Sequence, residues 1–234
     1  MKLFNGSAPY DRNEVLRGAE TFRSRGRVKR AIREYEKVLA VDPKDIEVHT
    51  KVAQLYIRAG RKEQAKASLK LVTEWYEEQG FAEKEIATLR VAQKLDRRDL
   101  AVYLRLTDLY VSKGLKADAL RLLEGARRTF RRKRFLREAI AVEEKILTFA
   151  PTAFRAQVSL IRLLWRARRK RDAKNRLWQM ESQWALLKNK RCWRKTRWLL
   201  WCHAPSLSTC WGSFVSLFIS PVPYRSKIRD RFAS

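Results

Sequence analysis

Cys192, Cys202, His203 and Cys210 are the residues of this chain that could together hold a metal. Structural zinc sites pair their ligands with about two to four residues between them. Here nine and seven residues lie between successive sulfurs, and the histidine sits directly beside a cysteine. Unpaired thiols account for these residues more simply than a zinc site does. The chain has no Gly-rich phosphate loop, no HExxH pair and no GxSxG elbow. His49, the one other histidine, reads as a packing residue on a helix rather than a catalytic base. Glu143 and Glu144 are consecutive, so on a helix they do not face each other and read as solvated surface. The expectation is no enzyme, no cofactor and no small-molecule substrate.

Charge is the next candidate chemistry. The 234 residues carry 53 Lys+Arg against 25 Asp+Glu, a formal net charge of +28. Such a surplus attracts polyanions: nucleic acid, anionic lipid or an acidic protein. A genome rich in Arg codons gives the same surplus without any such partner. Arg127, Arg128, Arg131, Arg132, Lys133, Arg134 and Arg137 form one cluster. Arg162, Arg166, Arg168, Arg169, Lys170 and Arg171 form another, with Trp165 inside it. Basic residues around an aromatic suit a nucleic-acid backbone or lipid headgroups. Against specific binding, Arg127, Arg128, Arg131 and Arg132 fall 54 positions after Thr73, Glu74, Glu77 and Glu78, so the position tolerates either sign.

The elements that would position these residues show as a repeat. Ala19, Phe22, Gly26 and Ala31 recur 34 positions later as Ala53, Tyr56, Gly60 and Ala65. The second set recurs after 54 as Thr107, Tyr110, Gly114 and Ala119, and more weakly as Ile161, Leu164 and Ala173. A small residue lets two helices approach, and an aromatic three positions on fills the space beside it. Gly26, Gly60 and Gly114 suit a helix end where the chain must turn. Pro43 and Pro151 cannot continue a helix interior. Eight glycines and six prolines are too few for a β-rich fold. The spacing predicts helices near 12–25, 27–41, 45–59, 61–79, 81–96, 99–113, 115–133, 135–149 and 152–167. The 54-residue unit reads as three helices with a long middle one, the second helix of one hairpin serving as the first of the next.

The stretches LYIRAGRKEQA (55–65), YEEQGFAEKEI (76–86), LYVSKGLKADA (109–119) and YEKVLAVDP (35–43) carry a family resemblance. Residues 12–173 resemble the tetratricopeptide repeat family, in its bacterial multi-repeat form. The resemblance implies an all-α, right-handed α-solenoid of helical hairpins that binds another protein as a scaffold. It also implies that the first helix of each hairpin lines a concave groove. The matching residues are Leu16, Glu20 and Arg23; Thr50, Gln54, Ile57 and Arg58; Leu104, Asp108 and Val111; and Val158, Arg162 and Trp165. Chaperone-binding members clamp a terminal carboxylate with Lys and Asn. Leu16 and Glu20 stand where that clamp would begin, which argues against clamping here.

Regularity stops near Lys174, and an irregular C-terminal tail is expected. The domains read as a lead over 1–11, a repeat domain over 12–174 and an atypical tail over 175–234. The tail holds six of the eight Trp, all three Cys and two acidic residues. Asn189 and Arg194 stand where counterparts of Phe81 and Ile86 are due, and no capping helix is expected. Three explanations stand: off-frame coding, a membrane anchor over the charge-free 198–224, or a disordered appendage. With no signal peptide at the N-terminus and no Cys before 192, the expected compartment is the cytoplasm. Membrane association through 198–224 is the alternative.

Overall fold

The computed structural model describes residues 11–203, with side chains through Leu199. All regular structure among them is helical. They fall into two compact units divided between Thr129 and Phe130.

The first unit holds α1 (Arg12–Ser24), α2 (Val28–Val41), α3 (Ile46–Arg58), α4 (Lys62–Glu78), α5 (Ala82–Leu95), α6 (Leu100–Ser112) and α7 (Lys116–Thr129). Each helix packs on the next in the chain. Two kinds of turn join them. In the three-residue kind a glycine takes a left-handed conformation: Gly26, Gly60, Gly80 and Gly114 have φ between 69° and 77°. No neighbouring atom would meet a Cβ there, so the requirement is conformational, not steric. In the four-residue kind an aspartate caps the next helix: Asp45 accepts from the Val48 N–H, and Asp99 from the Ala101 N–H.

Burial follows the repeat. Ala19, Ala31, Ala53, Ala65 and Ala119 are fully buried, and Tyr56 and Tyr110 nearly so. Phe22 is only half-buried, with the Arg30 guanidinium over its ring. Pro43 is exposed in the turn after α2. His49 is buried as a packing residue: Nδ1 lies 3.2 Å from the Ser68 hydroxyl and Nε2 2.9 Å from the Pro43 carbonyl.

The second unit opens with a 3₁₀ turn, Lys133–Phe135, and continues with α8 (Leu136–Phe149), α9 (Phe154–Arg166), α10 (Lys170–Leu186) and α11 (Lys190–His203). Their bounds correct two expectations. The long helix expected over 115–133 ends at Thr129. Arg127 and Arg131, like Arg128 and Arg132, would repel at i,i+4 if the helix ran on. Beyond the break, Phe130 is fully buried and meets Phe135 edge-to-face at 5.8 Å, as their counterparts Tyr76 and Phe81 do at 6.4 Å.

The second correction concerns the expected loss of regularity at Lys174. That residue lies inside α10, and a further helix follows. α9, α10 and α11 have the bounds of α3, α4 and α5 shifted by 108 residues, twice the 54-residue period. Arg168 and Lys188 take positive φ, 60° and 51°, where that shift places Gly60 and Gly80. Asn189 caps α11 through its Oδ1, which accepts from the Cys192 N–H. The sequence markers are gone, but the buried stripe is not: Ala173, Leu177, Met180 and Trp184 lie on one face of α10. Glu143 is a third correction. It is buried, accepting from the Ser159 hydroxyl at 2.6 Å, rather than solvated. It faces inward because it occupies the place of buried Leu89 one period earlier.

Candidate partner-binding surface

The residues expected to project into a groove are all exposed or half-buried, and their surroundings divide them. On α1, Glu20 accepts from the Tyr35 hydroxyl at 2.8 Å and pairs with Arg23 at 2.6 Å and Lys51 at 3.4 Å. Burial raises the Glu20 pKa, but Tyr35 and Arg23 more than offset this and hold it below the usual range. Burial, and then Glu20, pushes the Tyr35 hydroxyl well up. This cluster fastens α1 to α2 and α3. Leu16 and Ile57 pack partly on the core beneath.

On α3, Thr50, Gln54 and Arg58 stand exposed at i, i+4 and i+8. The Thr50 hydroxyl donates back to the Ile46 carbonyl. Gln54 and Arg58 have no hydrogen-bonding or ionic partner among the described residues. One spacing thus yields an internally satisfied cluster on α1 and an open polar row on α3. On α6, Asp108 is exposed, while Val111 packs against the core around Tyr110 and Leu104 is half-buried. On α9, Arg162 is exposed, but Val158 and Trp165 pack on the core around Leu177 and Trp184. Trp165 is therefore not an open stacking platform within its basic cluster.

The ionic chemistry leaves no mark in the local sequence. Glu85 is buried beneath Arg105, whose Nε and Nη2 donate to its two oxygens at 2.5 and 3.1 Å. The carboxylate fork of Glu85 secures α5 to α6, and Arg105 Nη1 adds Glu77 of α4 at 3.1 Å. The twenty-residue separation matches no i,i+4 rule, so no local signal exposes it. In the second unit Glu181 lies 3.8 Å from Arg197. Burial raises the Glu181 pKa, with Arg197 pulling it part of the way back, and lowers that of Arg197.

Among the described residues, no group of three or more His, Cys, Asp and Glu could hold an ion. Cys192 is half-buried; the Cys202 and His203 side chains, and Cys210, lie outside the described residues. The candidate span 198–224 also lies mostly outside them, and no described helix is long and apolar enough to cross a membrane.

Residues 22–80 match the tetratricopeptide repeat family. No curated protein matches the chain. Similar solved structures include MamA, 22% identical, covering 68% of this chain and 89% of that one at a TM-score of 0.24. TTC0263, a thermophilic TPR protein of Thermus thermophilus, is 19% identical, covering 65% and 98% at 0.26. A tetratricopeptide repeat protein from Parabacteroides merdae is 10% identical, covering 87% and 97% at 0.27.

Proposed function

We propose that this chain, whose residues 22–80 match the tetratricopeptide repeat family, is a scaffold holding a segment of another protein on the exposed faces of α1 and α3. The open row Thr50, Gln54 and Arg58 carries the reading. An exposed amide and guanidinium with no internal partner, flanked by half-buried Leu16 and Ile57, offer hydrogen bonds to a peptide backbone above an apolar floor. Glu20 and Arg23, tied up by their neighbours, hold the floor's edge. Leu104, Asp108 and Val111, and Val158, Arg162 and Trp165, are the counterparts in later copies. The cytoplasm is the compartment this reading assumes.

The test is a photo-reactive amino acid placed at Gln54 and, as control, at exposed Arg33 of α2. The scaffold reading expects a discrete crosslinked partner from Gln54 that Arg58→Glu diminishes, and none from Arg33. The same crosslinks from both positions would overturn it.

A further inference from the structure

Two exposed stripes on α10 and α11 repeat one pattern. On α10, Arg171, Lys174 and Trp178 lie at i, i+3 and i+7; on α11, Arg191, Arg194 and Trp198 lie at the same spacing, with Lys195 beside them. That spacing puts each set on one helix face. All seven side chains are exposed, Trp178 at 45% and Trp198 at 55%. Both tryptophans stand open, whereas Leu177, Met180 and Trp184 of α10 are buried. Among the described residues no carboxylate pairs with Arg171, Lys174, Arg191 or Arg194. The two acids of this segment are otherwise engaged: Asp172 with Arg169 at 2.7 Å, Glu181 facing Arg197.

The pattern is specific to this copy. The positions of Arg171 and Arg191 hold Glu63 and Glu83 one hundred and eight residues earlier, and those of Trp178 and Trp198 hold Lys70 and Arg90. An acidic residue in a first helical turn is favoured by the helix dipole and a basic one is not. Arginine at both places therefore works against the stability of α10 and α11.

We propose that the exposed faces of α10 and α11 dock on an anionic phospholipid surface, the cations meeting headgroups and Trp178 and Trp198 seating at the interface. Basic residues with interleaved tryptophan are the composition of interfacial helices. A nucleic acid would satisfy the cations equally, but not Leu186 and Leu187, exposed at 83% and 51% where α10 turns into α11. The sequence that follows carries no charged residue from Trp198 to Tyr224. Both features suit a bilayer and neither suits a phosphate backbone.

Sedimentation of the full chain with phosphatidylcholine vesicles, with and without phosphatidylserine, tests this. Each surface cation contributes about 1 kcal/mol toward an anionic leaflet, so phosphatidylserine should strengthen binding roughly tenfold or more. High salt should erase the gain, and tryptophan emission should shift to the blue on binding. Replacing Arg171, Lys174, Arg191, Arg194 and Lys195 with Gln should abolish the preference while the circular dichroism stays unchanged. Trp178→Ala with Trp198→Ala should weaken binding without removing its salt dependence. Equal binding to both vesicle types, or a preference that survives the five Gln substitutions, would overturn the proposal. So would single-stranded RNA that binds through these cations while anionic vesicles are ignored. Crosslinking from Gln54 is independent of every outcome.

Discussion

Residues 46–95 and 154–203 are the same three-helix unit written in two different alphabets. The helix bounds agree to the residue, yet the first copy carries 9 basic and 7 acidic residues and the later one 15 and 2. Glycine at two turns becomes arginine and lysine. First-turn Glu47, Glu63 and Glu83 become Arg155, Arg171 and Arg191. What survives is the spacing of buried side chains: Val52, Tyr56, Ala65 and Leu69 in one copy, Leu160, Leu164, Ala173 and Leu177 in the other. Packing, and not the marker residues, holds this unit. Markers ease its turns and its charge is free to change.

The sharpest way to break that comparison is to truncate equivalent core residues. Tyr56→Ala and Leu164→Ala should each cost several kcal/mol, about 3–5 for the aromatic and 2–5 for the leucine. Urea denaturation would measure both. Exposed Glu63→Ala should stay within about 0.5 kcal/mol. A large loss at Tyr56 with almost none at Leu164 would show that the later copy is not packed as the earlier one is.

The turns come next. A non-glycine residue in the left-handed region costs about 1–2 kcal/mol. Gly114→Ala should destabilise by roughly that amount, while Arg168→Gly and Lys188→Gly should each recover up to about 1 kcal/mol. Thermal melts of the three variants should therefore move in opposite directions. Identical shifts would mean the turns are not equivalent.

First-turn charge should matter less. Glu83→Arg should destabilise slightly at low salt, losing its favourable place in the first turn and its ion pair with Lys113 at 2.9 Å, and Arg155→Glu should shift stability the opposite way. Both effects should shrink as salt is added.

Acid separates the regions by sign. Lys51, then Arg12, lower the Glu47 pKa, and the Arg98 N–H is the main cause lowering Asp96. With Glu20, these groups contribute stability above the ordinary carboxylate range and lose it as pH falls through their lowered folded values. Glu181, raised by burial, does the reverse: its contribution is full below the ordinary range and lost as pH rises through its raised folded value. Of the eight Trp only Trp75 lies in the first unit. On acidification from neutral pH, circular dichroism should thus report loss before tryptophan emission does. Emission that moves first would reverse the assignment.

The first three helical hairpins are legible in the sequence because each marker has one physical meaning there. Ala53 means close approach, Gly60 a left-handed turn, Pro43 a stop. The later copy is misread when those markers are weighed above the apolar period, which runs unbroken through Ala173, Leu177, Met180 and Trp184. Glu143 is misread for a related reason: a carboxylate looks solvated until its position is compared with Leu89. The surface of the proposed site is legible by type but not by state. Nothing local distinguishes Glu20, enclosed by Tyr35, Arg23 and Lys51, from Gln54, which stands open. That difference depends on residues from two other helices.

One consequence follows from α4 pairing with both α3 and α5. Helices joined by three- or four-residue turns reverse direction at each step. A repeat of two helices returns the chain to its starting heading, as from α1 to α3. A repeat of three does not: α6, the counterpart of α3, runs the opposite way within the same unit. The unit therefore has parity. A segment held as proposed along α1 and α3 would find the matching row of α6 on a helix of opposite direction. Duplicating one three-helix block would invert the polarity of the next row, and duplicating two would restore it.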